Sequence, residues 1–184
     1  MQKFKNKYRI PSARLATWDY SWPGSYFITI CTKNRNHYFG EIRNGEMYLN
    51  EIGIIADQCW AEIPGHFNNI TLGEFVIMPN HTHGIINIER SSFAVETGHA
   101  LSLPQTIQNN NHHFRFRNPG KNTISSMVGS FKSAVSRLAH PINKNFGWQT
   151  RFHDHIIHSH ADYLRISDYI LNNPVKWIED RFNR

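Results

Sequence analysis

Two histidines one residue apart, His81 and His83, sit between apolar runs in Phe75-Val76-Ile77-Met78-Pro79-Asn80-His81-Thr82-His83-Gly84-Ile85-Ile86-Asn87-Ile88. Side chains alternate faces along a strand, so these two imidazoles point the same way. On one rigid face they can hold a divalent metal ion between them. Further along, Tyr169 and Asn173 lie four residues apart in a segment with helical periodicity. At about 100° per residue, that spacing leaves them within about 40° of each other. Two imidazoles and an amide oxygen would leave positions open on the ion for phosphate oxygens. A free phenol titrates near pH 10, so Tyr169 needs local charge or a base to become a nucleophile. Singly, each residue has an ordinary explanation: a solvated histidine, a packing tyrosine, an asparagine helix cap. Together they point to metal-assisted attack of a tyrosine on a phosphodiester.

Other polar clusters speak to substrate more than to catalysis. His153, His155, His158 and His160 carry no cysteine pair beside them, so hydrogen bonding or phosphate contact suits them better than structural zinc. Lys3, Lys5, Lys7, Arg9 and Arg14 surround Phe4 and Tyr8, and Trp18 and Tyr20 follow. Arg115, Arg117, Lys121, Lys132 and Arg151 add positive charge downstream. Cations interleaved with rings suit single-stranded nucleic acid, where charges meet phosphates and rings stack on bases. Arg9, Arg14, Lys132 and Arg151 are the candidate DNA contacts.

The elements that must position these groups follow from the pattern. Ser25 to Thr32 is a β-branched and aromatic run, the mark of a central strand. Phe39–Arg43 and Glu46–Asn50 flank Asn44-Gly45, a pair suited to a type I′ hairpin turn. Ile52, Ile55, Ala56, Cys59 and Ile63 repeat at helical spacing, with Asn50 as N-cap and Pro64-Gly65 as the stop. Ile70–Met78 and His81–Ile88 read as two strands. Residues 91–121 are polar and aperiodic, a flexible insertion in a single domain spanning 1–184. Ile124, Met127, Val128, Phe131, Ala134, Val135 and Leu138 then define an amphipathic helix capped by Asn122 or Thr123. Gly147–Phe152 reads as a short edge strand. A last helix runs from His160 to Asn172, capped by Ser159 and stopped by Pro174. This order favours an α+β fold, an antiparallel sheet flanked by helices.

Composition bounds the partners. The 184 residues include 20 Lys and Arg against 14 Asp and Glu, a net charge of +6 that suits a polyanion. No apolar run approaches the roughly 18 residues of a membrane span, and the basic N-terminus lacks the apolar core of a secretory signal. Cys31 and Cys59 sit among apolar neighbours, as buried thiols of a reducing compartment do. A cytoplasmic protein, nucleoid-associated when bound to DNA, is expected.

The ordered motifs resemble a known family. Arg14-Leu15, Trp18-Asp19-Tyr20-Ser21, Gly24 to Thr32, Phe75 to Gly84, Gly129-Ser130-Phe131-Lys132-Ser133, Trp148-Gln149 and Asp168 to Pro174 with Trp177 are similar to the REP-associated tyrosine transposases, a branch of the single-tyrosine HUH transposases. The resemblance spans nearly the whole chain outside the insertion. It implies the HUH nuclease version of a ferredoxin- or RRM-like sheet. It implies His81 and His83 as metal ligands, Asn173 as the third, Tyr169 as nucleophile, and Mg²⁺ or Mn²⁺ as the ion. The implied reaction cuts single-stranded DNA near a hairpin, leaves a 5′-phosphotyrosine and a free 3′-OH, and rejoins strands by the reverse attack. A monomer or a homodimer would serve. Thr82 departs from the pattern, which places a bulky hydrophobe between the histidines; its hydroxyl needs a partner if buried. The competing reading is a relative that binds hairpin DNA without cutting it. An RNA-binding RRM-like protein is less suited, because the strands carry no basic-aromatic RNP signature.

Overall fold

The structure is a computed structural model that describes residues 18–90, 122–180 and 182–183. Arg9, Arg14 and the insertion at 91–121 lie outside the described residues. The elements are β1 (Gly24–Cys31), β2 (Gly40–Arg43), β3 (Glu46–Leu49), α1 (Glu51–Ala61), α2 (Ile63–His66), β4 (Ile70–Met78), β5 (His81–Ile88), α3 (Ile124–Ala139), β6 (His153–Ile157) and α4 (His160–Leu171). Short 3₁₀ turns cover Lys33–Arg35 and Trp177–Glu179. Four strands form an antiparallel sheet in the order β4-β5-β1-β6, and β2 and β3 form a separate hairpin. This is the expected α+β architecture, with β1 as an inner strand.

Alternation assigns the two faces of the sheet to different partners. Tyr26, Ile28 and Ile30 of β1 face one way and are fully buried in the main core with α1 and α3. On that face Trp60 packs against β5 at Gly84, where a Cβ would come within 2.3 Å of its ring. The absence of a side chain at Gly84 lets the largest core residue reach the strand. Phe27, Thr29 and Cys31 face the other way. His83 pairs with Thr29 and His81 with Cys31, so both imidazoles occupy this second face. There Ile166 and Ile170 of α4 close on Ile85, with Phe27, Val76, Ile157 and Tyr163 around them. Each isoleucine so buried contributes about 1.5–3 kcal/mol, enough to hold α4 against the sheet.

Local signals act largely as the sequence predicts. Asn44 and Gly45 take φ values of 51° and 79°, the positive pair a type I′ turn requires. The Asn50 side chain accepts from the Gly53 amide at 3.0 Å and caps α1. Thr123 caps α3 and forms a capping box with Ser126, and Ser159 caps α4. Three expectations are corrected. Pro64-Gly65 does not end helical structure; Pro64 sits in the first turn of α2, where its missing N–H costs nothing. The edge strand is not Gly147–Phe152, which contributes a single bridge from Trp148 to Thr32, but His153–Ile157. Cys59 is only partly buried, though burial still raises its thiol pKa, while Cys31 is buried as expected.

Candidate active site

The histidine pair is held at the start of β5, and neither ring has any solvent exposure. The other ring nitrogen of each is engaged from behind. Thr29 Oγ1 lies 2.9 Å from His83 Nδ1, and Asn80 Oδ1 lies 2.8 Å from His81 Nδ1. Such outer contacts fix ring orientation and leave the Nε2 side of each imidazole for other work. The two ring centroids are 4.4 Å apart, and Phe27 stacks on His83 at 5.2 Å.

Helix α4 delivers the phenol. With Ile166 and Ile170 buried against the sheet, Tyr169 falls at the border of the packed face, 37% exposed. Its hydroxyl lies 3.2 Å from His83 Nε2, and its ring meets Phe27 edge-on. Tyr163, the competing tyrosine, instead packs with the α4 apolar cluster. Asn173 follows the helix and is 2% exposed; its Oδ1 is buried with no hydrogen-bond partner among the described residues. Tyr169, Asn173 and the neighbouring Asp180 line one cleft of about 520 Å³. His153, His155, Arg165, Lys176 and Glu179 also line it.

Beyond Asn173 the chain turns back over the histidines. Trp177 and Phe182 pack with Cys31 and Met78, and their rings lie 6.0 and 4.6 Å from His81. This docking carries in a residue that the sequence reading missed. Ligand atoms of His81, His83 and Asp180 all fall within 4.8 Å of one another. Asp180 Oδ1 accepts from the Phe182 amide at 2.8 Å, whereas Oδ2 is buried without a hydrogen-bond partner among the described residues. A buried carboxylate oxygen left unpartnered beside two imidazoles is costly unless a cation meets it. The donor set, two imidazole nitrogens and a carboxylate, with the Asn173 amide lining the same cleft as Asp180, suits a divalent metal ion. Asp180 left a faint trace in the sequence: an acid set between Trp177 and Phe182, two aromatic anchors.

The remaining expected residues are dispersed. Lys132 donates to the Gln149 carbonyl at 2.6 Å, and burial holds its ammonium below the usual lysine range. That bond gives it a structural task on α3, the helix that covers the face opposite the histidines. Arg151 is exposed just before β6. The C-terminal histidine cluster is divided: His153 and His155 reach the cleft, and His158 meets Trp18 edge-on at 6.3 Å. Asp162 joins Arg165 to His155, and hydrogen bonds from Arg165 and then His155 hold its carboxyl below the ordinary range. Thr82 points into the opposite core, fully buried, and its hydroxyl has no partner among the described residues.

No helix among the described residues is long and apolar enough to cross a membrane. No family model matches the chain. It is 40% identical over 172 residues to an uncharacterised protein of Haemophilus influenzae, an overlap covering 92% of this chain and 91% of that one. Among solved structures it is similar to a REP-associated tyrosine transposase bound to a REP hairpin, with a TM-score of 0.56 and 18% identity. That likeness covers 91% of this chain and 74% of the other. The chain therefore belongs to one family with the Haemophilus influenzae protein, and its resemblance to the REP-associated tyrosine transposases extends to the fold.

Proposed function

We propose that the chain is a metal-dependent endonuclease and strand transferase acting on single-stranded DNA near hairpins. The observation that carries this reading is Tyr169 Oη at 3.2 Å from His83 Nε2, in a cleft shared with Asp180 and Asn173. His81, His83 and Asp180 would hold the divalent ion, Mn²⁺ or Mg²⁺, with Asn173 as a further oxygen donor. Bound there, the ion supplies charge that offsets the negative charge growing on the scissile phosphate. Phe27 and His83 orient the Tyr169 ring, and the hydroxyl points into the cleft. The phenol passes its proton to water in the cleft as its oxygen attacks phosphorus. The Oη–P bond forms as the P–O3′ bond breaks, and the departing oxygen takes a proton from water to become a 3′-OH. The 5′ end stays on Tyr169 as a phosphodiester. Attack by a 3′-OH reverses the step, so rejoining needs no outside energy source. Arg165, Lys176, His153 and His155 of the cleft lining would meet phosphates of the flanking strand. The similar solved transposase is bound to a hairpin, which supports hairpin DNA as the partner.

The test is incubation with labelled single-stranded DNA carrying a hairpin from beside the chain's own gene, with Mn²⁺, followed by a denaturing gel. Wild type yields a metal-dependent covalent band; Tyr169→Phe yields none yet still binds. An adduct that survives in the phenylalanine variant moves the nucleophile elsewhere. Tight binding by wild type with no adduct establishes the non-cutting, hairpin-binding alternative.

A further inference from the structure

We propose that Asn80 is a positioning residue: it sets the tautomer of His81 and ties the Asp180 segment to that ligand. This rests on the reading of His81 as a metal ligand. Asn80 ends the turn between β4 and β5 and has no solvent exposure. Its Nδ2 donates to two backbone carbonyls, Arg35 O at 3.2 Å and Phe182 O at 2.8 Å. Both are acceptors only, so the amide has one permissible orientation; flipped, its oxygen would face two carbonyl oxygens. Oδ1 is thereby aimed at His81 Nδ1, 2.8 Å away. An amide oxygen cannot donate, so the proton in that bond belongs to the imidazole. A neutral ring protonated at Nδ1 carries its lone pair on Nε2. That lone pair is what a metal needs.

The two histidines are not equivalent in this respect. Thr29 Oγ1 beside His83 Nδ1 can donate or accept, so it leaves the His83 tautomer open. Only His81 is fixed by a group that is itself fixed. The same amide reaches 102 residues along the chain to the Phe182 carbonyl, two residues beyond Asp180. The backbone of the turn is secured too: the Asn80 carbonyl accepts from the Thr32 amide at 2.9 Å and from Thr32 Oγ1 at 3.0 Å. One side chain thus sets the lone pair of one ligand and holds the segment that delivers another.

The test uses the ¹⁵N-labelled, metal-free protein at a pH where its imidazoles are neutral. Long-range ¹H–¹⁵N correlations of His81 should show one tautomer, with a proton-bearing Nδ1 and a bare Nε2. In Asn80→Ala, His81 should populate both tautomers, and Mn²⁺ affinity measured by titration should fall about 10–100-fold, the usual effect of losing an outer-shell partner. Asn80→Asp keeps an acceptor opposite Nδ1 but turns its second oxygen on the Arg35 and Phe182 carbonyls, so it should hold the single tautomer while the Phe182 segment loosens; thermal unfolding shows which variants are folded. A proton on Nε2 in wild type overturns the proposal. So does an alanine variant with unchanged His81 tautomer and Mn²⁺ affinity. The expected tautomer in a wild type that binds no Mn²⁺ would instead overturn the metal-ligand reading, and with it the role assigned to Asn80.

Discussion

Replacing Thr82 by valine exchanges a buried hydroxyl for a methyl group of nearly the same shape, on the sheet face away from the histidines. Thr82 stands opposite Ile30 of β1 and Ile77 of β4, and its Oγ1 has no hydrogen-bond partner among the described residues. Folding strips water from that hydroxyl without compensation, a penalty of about 1–3 kcal/mol. Valine is β-branched like threonine, so strand geometry and rotamer freedom hardly change. Part of the penalty returns through imperfect packing of the new methyl. We therefore expect Thr82→Val to stabilise the protein by about 1–2 kcal/mol, which for a chain of this size raises Tm by about 2–8 °C. Thermal and urea unfolding in the absence of metal measure it, and Mn²⁺ affinity should be unchanged. A variant of equal or lower stability refutes the reasoning. Trp60 Nε1, also buried without a hydrogen-bond partner among the described residues, would then be the place to look, because Trp60 packs on Gly84 two residues along β5. A Thr82–Trp60 bond, direct or through a buried water, would make the hydroxyl an asset.

Two other perturbations probe separate parts of the argument. Gly84→Ala puts a methyl group against the fully buried Trp60 ring, so it should cost about 1–3 kcal/mol in urea unfolding; unchanged stability would show that the indole can shift. Asp180→Ala should weaken Mn²⁺ binding at least about tenfold by calorimetric titration, given that even outer-shell losses cost 10–100-fold. If Asp180→Ala binds normally and Asn173→Ala does not, the third ligand is Asn173.

What the sequence disclosed, and what it hid, follows from where the information resides. The histidine strand, the caps at Asn50, Thr123 and Ser159, and the Asn44-Gly45 turn are local, and their residues state their geometry. Tyr169 was legible as a residue at the border of the packed face because a helix fixes spacing into direction, whereas Asn173 lies past the helix end. β6 was misplaced because its pattern is His-Asp-His-Ile-Ile on a sheet edge: its two histidines face the cleft, and the strand shows no apolar alternation. Asp180 and Asn80 were missed for a different reason. Each is an ordinary turn or loop residue until Trp177 and Phe182 dock, and docking between segments about 100 residues apart leaves no periodic trace. The polar lining of the cleft was half visible; His153 and His155 drew notice as a cluster, while Arg165 and Lys176 carry no local pattern that marks them.

The distances along the chain between site residues have a consequence for how the protein comes to be active. Tyr169 meets His83 across 86 residues, and Asn80 meets Phe182 across 102. Closing such loops adds little free energy beyond that of shorter ones, because the entropy grows only logarithmically with length. Its effect falls on kinetics, since contacts of large sequence separation are slow to form. Any partly folded form that has built the sheet and α3 but not seated residues 159–183 holds two histidines without a phenol or a carboxylate. Under the proposed function, a half-made molecule could not cut DNA, and nuclease competence would coincide with completion of the fold.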